Sequence, residues 1–214
     1  MKLTNNDLLL YLVTDRNWLG ENKLEEVVEE AINNGVTFVQ LREKDLKFEE
    51  FKNIALDIKK VTDRYKIPFV INDNIEVAIE VDTDGVHIGQ DDIEVEEARR
   101  LLGEGKILGV SAGTMEEALD AEKNGADYIG VGAVFPTDSK SNAVSVNLKE
   151  LKEIKETVKI PVVAIGGISD ENLHLLEESK VDGIAVISAI LAKEDIGKAT
   201  RDLNKLVKKY LGGK

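Results

Sequence analysis

Residues 36–71 read VTFVQLREKDLKFEEFKNIALDIKKVTDRYKIPFVI. Two short apolar, β-rich runs, 36–41 and 68–71, enclose a segment, 48–61, whose apolar positions recur on one helical face. A strand, a helix and a second strand in that order form a crossover long enough to pair the two strands in parallel. The same alternation extends in both directions. Apolar runs at 8–14, 85–88, 107–110, 128–131, 161–165 and 183–187 bring the candidate strands to eight. Between them, Leu24, Val27, Val28, Ala31 and Ile32 keep i, i+3, i+4, i+7, i+8 spacing, and helical faces recur at 94–102, 115–123, 148–158 and 172–178. A short helical pattern at 74–81 and a final amphipathic segment at 196–210 complete the series. Eight regular β/α units favour closure into a (β/α)8 TIM barrel over an open doubly wound sheet, so the expectation is one barrel domain over residues 1–214.

Composition narrows the function. A chain of 214 residues with 43% hydrophobic content suits one packed domain. With no cysteine, disulfides, thiolate metal sites and thiol nucleophiles are excluded, and any metal must take oxygen or nitrogen ligands. The apolar run at 8–13 is too short for a signal segment or a membrane span, which places the expected site of action in the cytoplasm. A net charge of −13 opposes broad attraction to nucleic acid or to an anionic membrane, so an anionic small-molecule substrate needs a local positive pocket. Oligomeric state is not written in these features.

Functional groups of such a barrel sit where the chain leaves the C-terminal ends of its strands. There the sequence places Gln40-Leu41-Arg42-Glu43-Lys44, Asn72-Asp73-Asn74, Gly89-Gln90-Asp91-Asp92, Ser111-Ala112-Gly113-Thr114, Pro136-Thr137-Asp138-Ser139-Lys140, Gly166-Gly167 and Ile187-Ser188. By the period of two, Phe38, Gln40 and Arg42 share the inward face of their strand and Val39 and Leu41 the helix-facing side. Arg42 and Lys44 read either as cations of the mouth or as exposed residues paired with Glu43 or Asp45. Asp73 and Asp92, each ahead of a helical pattern, read either as N-caps or as two carboxylates that share a Mg²⁺ bridging a diphosphate. Gly166-Gly167 ahead of Ser169, together with Ile187-Ser188, suits a phosphate held by the last two loops. His87 alternates with Gly85 and Gly89, so it faces the interior and reads as a core histidine with satisfied hydrogen bonds; His174 reads as a surface residue. Trp18 either covers the mouth or packs on the first helix.

These strings, QLREK at 40–44, ND at 72–73, GVHIGQDD at 85–92, GADYIG at 125–130, PTDSK at 136–140 and IGGI at 165–168, resemble the thiamine-phosphate synthase family across all eight strands. The resemblance implies an enzyme that condenses 4-amino-2-methyl-5-(diphosphooxymethyl)pyrimidine with a thiazole ethyl phosphate to give thiamine phosphate and pyrophosphate. It implies that Gln40, Leu41, Arg42, Glu43, Lys44, Asn72, Ser111 and Lys140 hold the pyrimidine diphosphate. Thr137, Asp138, Ser139, Gly167, Ile187 and Ser188 would hold the thiazole phosphate, and Asp73 and Asp92 would bind Mg²⁺. Arg42, Lys44 and Lys140 would stabilise the departing diphosphate. The competing readings are a thiazole tautomerase on the same barrel, a phosphosugar isomerase or epimerase, and a non-catalytic sensor of a phosphorylated ligand.

Overall fold

The computed structural model describes residues 3–137 and 145–212. In chain order these form β1 (Leu10–Val13), α1 (Leu24–Asn33), β2 (Phe38–Leu41), α2 (Phe48–Tyr65), β3 (Phe69–Asn72), α3 (Ile75–Val81), β4 (Gly85–Ile88), α4 (Val95–Leu102) and β5 (Ile107–Ala112). There follow α5 (Met115–Lys123), β6 (Tyr128–Val131), α6 (Leu148–Thr157), β7 (Val162–Ile165), a 3₁₀ segment (Leu173–Ser179), β8 (Gly183–Val186), α7 (Ser188–Leu191) and α8 (Ile196–Tyr210). The eight strands close into a parallel barrel in sequential order, sealed where Leu10, Tyr11 and Leu12 pair with Ile184, Ala185 and Val186. Among the described residues no helix is long and apolar enough to cross a membrane.

The period of two divides the core into two shells. Val39, Leu41, Val86, Ile88 and Ile129 face outward into the layer beneath the helices. Tyr11, Phe38, Val70, Ile107, Tyr128, Val163 and Ala185 fill the barrel itself. Tyr11, Phe38 and Tyr128 meet there with ring centroids 4.5 to 6.0 Å apart in tilted and edge arrangements, contacts that add about 0.5–1.5 kcal/mol per pair to the burial itself. Leu8, expected to begin the first strand, instead lies in a 3₁₀ turn (Asn5–Leu8) and joins this inner cluster below β1.

Two other expected elements differ. The pattern at 172–178 forms the 3₁₀ segment rather than an α-helix. Its buried residues Leu173, Leu176 and Ser179 recur every third position, the repeat of a 3₁₀ turn, and Lys180 closes it in left-handed backbone at φ 56°. Strand five runs to Ala112, beyond the expected 107–110, so Ser111 sits inside the ladder opposite Gly130 rather than on a loop.

The N-terminal rim carries a repeated device. The residue before each even strand accepts a hydrogen bond from the backbone near the start of the preceding odd strand. Thr37 Oγ1 accepts from Leu10 N at 3.0 Å, Asp84 Oδ2 from Phe69 N at 2.8 Å, Asp127 Oδ2 from Leu108 N at 2.8 Å and Asp182 Oδ2 from Val162 N at 2.7 Å. The backbone N–H of each of the four returns the bond to the same residue's carbonyl at 2.8 to 3.0 Å. Two of the carboxylates have cations: Arg99 lies 2.6 Å from Asp127, and Lys155 lies 2.5 Å from the 3% exposed side chain of Asp182. Asp182→Ala would strand the Val162 N–H and the Lys155 ammonium together. It should cost about 2–4 kcal/mol of stability, read by urea unfolding. Substrate KM values should stay at wild type, because this rim is the far end of the barrel from the strand C-termini.

Candidate active site

At the C-terminal end of β2 the inward face carries Phe38 and then Gln40, as the alternation predicts. Phe38 belongs to the inner cluster and Gln40 is buried, its Nε2 donating to the Tyr11 hydroxyl. The chain leaving β2 is tied to the chain leaving β1: Thr14 N donates to Gln40 O at 2.9 Å and Arg42 N donates to Thr14 Oγ1 at 3.0 Å. Leu41 lies on the outer, helix-facing side, wholly buried. Arg42 is half-buried and Lys44 exposed.

The pairings differ from the surface alternative. Glu43 turns to the first loop, where Arg16 Nε lies 2.9 Å from its carboxylate and donates to Oε2; among the described residues the buried Oε1 accepts no hydrogen bond. Burial raises the Glu43 carboxyl above the usual carboxylate range, and the charges of Arg16 and Arg42 pull it part of the way back. Lys44 reaches across to the next strand and pairs with Asp73.

Asp73 follows β3 directly. Its N–H extends the β3–β4 ladder by donating to His87 O at 2.8 Å, and its φ of 62° places it in the left-handed region, which Asp tolerates better than most residues. Its carboxylate accepts from Asn72 Nδ2 and from Lys44. It is not a helix cap. The cap of α3 is the neighbouring Asn74, whose Oδ1 accepts from Val77 N at 2.9 Å.

Asp92 is not a cap either. The residue before α4 is Glu94, which makes no side-chain cap bond, while Asp92 Oδ2 accepts from Gly89 N at 2.7 Å and closes the turn that follows β4. Partial desolvation raises the Asp92 carboxyl above its ordinary value. The Gly89 N–H opposes that rise, and a hydrogen bond with Asp73 and the charge of Asp73 add to it. The fold thus brings Lys44, Asp73 and Asp92 from three successive loops to one corner of the mouth. Among the described residues no group of three or more His, Asp or Glu is placed to hold a metal, so an ion here would have two protein carboxylates and take its remaining oxygens from substrate and water.

Next along the mouth, Gln90 Nε2 donates to Ser111 O at 2.6 Å, tying the fourth loop to β5. Ser111 Oγ lies 3.0 Å from His87 Nε2, and His87 Nδ1 lies 3.0 Å from the Tyr128 hydroxyl. His87 is therefore buried and hydrogen-bonded through both ring nitrogens, in keeping with its expected place in the interior, and His174 is exposed. Trp18, in a 3₁₀ turn after β1, is 46% exposed.

On the opposite side of the mouth the sixth and seventh loops lie back to back. Val134 N and Phe135 N donate to Ile165 O and Gly166 O at 3.0 and 3.1 Å. Gly167 adopts φ 64°, and a Cβ there would stand 2.4 Å from Pro136 O and 2.7 Å from Phe135 O. At the glycine expected to admit a phosphate, it is the close approach of the sixth loop that leaves no room for a side chain, and Thr137, next along that loop, is half-buried. Asn172 fastens that loop, donating to Gly167 O at 2.8 Å and accepting from Ser169 N at 2.9 Å. Ile187 and Ser188, both half-buried, lead into α7. Asp138, Ser139 and Lys140 lie outside the described residues.

Comparison with known proteins gives this arrangement a lineage. The family described as thiamine monophosphate synthase (TMP-TENI) matches residues 10–190. A thiamine-phosphate synthase of Clostridium tetani is 55% identical over 199 residues, covering 93% of this chain and 95% of that protein. One from Methanobrevibacter smithii is 49% identical over 203 residues, covering 95% and 97%. The solved thiamine phosphate pyrophosphorylase of Pyrococcus furiosus superposes with a TM-score of 0.89 at 43% identity, covering 97% of this chain and 99% of that one. With that extent of match in sequence and in backbone, the chain belongs to the thiamine monophosphate synthase family.

Proposed function

We infer that this protein is a cytoplasmic transferase that joins 4-amino-2-methyl-5-(diphosphooxymethyl)pyrimidine to a thiazole ethyl phosphate, releasing pyrophosphate. The observation that carries this reading beyond family membership is the convergence of Lys44, Asp73 and Asp92 at one corner of the barrel mouth. Two carboxylates held together with one ammonium between the loops suit a diphosphate bridged by a hard cation. A thiazole tautomerase or a phosphosugar isomerase has no use for such a cluster.

The donor set fits Mg²⁺. Asp73 and Asp92 would hold it, and oxygen ligands are what this ion takes. When bound, it would supply Lewis-acid stabilisation to the diphosphate oxygens. The chain's own groups do the rest. Arg42, Lys44 and Lys140 would surround the diphosphate and stabilise the charge it gains as the carbon–oxygen bond breaks. The electron-rich aminopyrimidine supports the cation developing at its exocyclic carbon, and the thiazole nitrogen attacks that carbon. Gln40, Asn72 and Ser111 would orient the pyrimidine. Leu41, buried on the outer side, and Glu43, engaged with Arg16, would act by holding the second loop in place. Thr137, Asp138, Ser139, Gly167, Ile187 and Ser188 would fix the thiazole through its phosphate. Because the thiazole nitrogen is the nucleophile, no protein nucleophile is needed, and the chemistry reduces to positioning and charge stabilisation.

Pyrophosphate release that requires both substrates together tests the reaction; release with neither dependence, or none at all, would remove it. The metal pair is tested by Asp73→Asn and Asp92→Asn. Each alone should lower Mg²⁺-dependent turnover by about 100-fold, and the double variant should cost little more, because the two act as a unit. Near-wild-type Mg²⁺ titrations of pyrophosphate release in both single variants would sink the assignment, with thermal unfolding as the control for global damage. Gly167→Ala probes the other half of the mouth. Its Cβ would displace the Pro136 carbonyl and strain a left-handed backbone, so stability should fall by about 1–2 kcal/mol. KM for the thiazole phosphate should rise, and a rise confined to the pyrimidine substrate would reverse the assignment of the two phosphates.

A further inference from the structure

The barrel interior is not filled by hydrocarbon alone. From Gln40 Nε2, which donates to the Tyr11 hydroxyl, a continuous line of hydrogen bonds crosses it. The hydroxyls of Tyr11 and Tyr128 are 2.9 Å apart, the Tyr128 hydroxyl is 3.0 Å from His87 Nδ1, and His87 Nε2 is 3.0 Å from Ser111 Oγ. The line therefore joins two side chains assigned above to the pyrimidine, one on β2 and one on β5, through three residues that have no assigned role. Space for it is built into the sequence. A Cβ at Gly109 would lie 2.2 Å from Tyr128 Cζ and 2.5 Å from His87 Nδ1, and one at Gly130 would lie 3.2 Å from His87 Cε1.

The line has a direction. An amide nitrogen donates and does not accept, so Tyr11 accepts from Gln40, and the arrangement that uses its own buried proton sends it to Tyr128. Both phenols are fully buried, and burial raises their pKa values well above the ordinary value, so each remains a donor. Tyr128, having accepted from Tyr11, donates to His87 Nδ1. The imidazole then carries its proton on Nε2 and donates to Ser111 Oγ. With that lone pair engaged, the Ser111 hydroxyl proton is available to an acceptor at the mouth.

We propose that Tyr128 is a positioning residue: through His87, held as the Nε2–H tautomer, it leaves the Ser111 hydroxyl as a hydrogen-bond donor to a ring nitrogen of the aminopyrimidine. This rests on the function proposed above. An aminopyrimidine ring nitrogen is an acceptor, and a serine whose proton were spent on His87 would offer it only a lone pair. Gln40 sets the direction at one end, and the substrate reads it at the other.

Tyr128→Phe keeps the ring and removes the hydroxyl. KM for the pyrimidine diphosphate should rise about tenfold, the worth of one hydrogen bond, with KM for the thiazole phosphate changed by less than about twofold. In a Ser111→Ala background the same substitution should add less than about twofold, because the group through which it acts is gone. The protein has two histidines, so ¹⁵N spectra of the wild type at neutral pH read His87 directly, without depending on how any variant folds; the Nε2–H form is expected. A wild-type His87 carrying its proton on Nδ1 would overturn the proposal. So would a Tyr128→Phe enzyme that loses thermal stability with both KM values unchanged, or a tenfold effect that persists undiminished in Ser111→Ala. Wild-type protein that releases no pyrophosphate from the two substrates would instead remove the assigned reaction, and this role with it.

Discussion

The pairing of β1 with β8 is the constraint on which the molecule depends. Once the last strand returns beside the first, all eight strands run in the same sense around a closed wall. Every chain segment leaving a strand C-terminus then converges on one opening. The enclosed volume is small enough that side chains must fill it, and the lower part is filled with Leu8, Tyr11, Phe38, Tyr128 and their aliphatic neighbours. Polar side chains enter toward the opening, where Gln40, Asn72 and His87 are buried but hydrogen-bonded, and the hydroxyls of Tyr11 and Tyr128 join them from the inner cluster. A buried polar group without a partner would cost several kcal/mol, so the hydrogen bonds among them are a condition of the fold as much as a preparation for a ligand.

The corner made by Lys44, Asp73 and Asp92 follows a different logic. Neither aspartate caps a helix, and one of them sits in left-handed backbone. Asp73 stands close enough to Asp92 to add to the rise of the Asp92 carboxyl above its ordinary value, while Gly89 N bonds Asp92 and Lys44 and Asn72 bond Asp73. Each carboxylate has local bonds that hold it in place, and the cation proposed above would add positive charge between them. The opposite side of the mouth is organised by close backbone contact, the seventh loop lying on the sixth where Gly167 leaves no side chain between them.

What could be read in the sequence, and what could not, follows from the range of each interaction. The inward placement of Phe38 and Gln40 was legible because strand side chains alternate with a fixed period of two. The eight βα units were legible because each is declared by its own residues. The fate of Asp73 and Asp92 was not: a carboxylate ahead of a helical pattern looks the same whether it caps that helix or leans toward a neighbouring loop, and only the barrel's register decides. Glu43 and Arg16 are 27 residues apart, and nothing local in either distinguishes their pairing from one with an adjacent charge. The 3₁₀ segment at Leu173–Ser179 was misread because three buried positions spaced by three suit a short α-helix almost as well. Tyr11 and Tyr128 lie inside the apolar runs 8–14 and 128–131, and hydroxyls 2.9 Å apart leave no mark on a pattern of apolar positions. The clips of the N-terminal rim are silent in the sequence for a like reason, as Thr or Asp ahead of a strand is an ordinary boundary residue.

Those clips also bear on the order in which the barrel can assemble. Each joins an odd strand to the even strand that follows it, across sequence separations of 27, 15, 19 and 20 residues. Loops of that length close at small entropic cost, and the cost grows only with the logarithm of length. The seam between β1 and β8 joins opposite ends of the chain and yields nothing until both are in place. Chain entropy therefore favours four locally stapled quarters, each a pair of strands with its crossover, over any route that begins at the seam. The opening at which the chemistry is assigned gathers residues from several quarters, so it takes shape only as those quarters join.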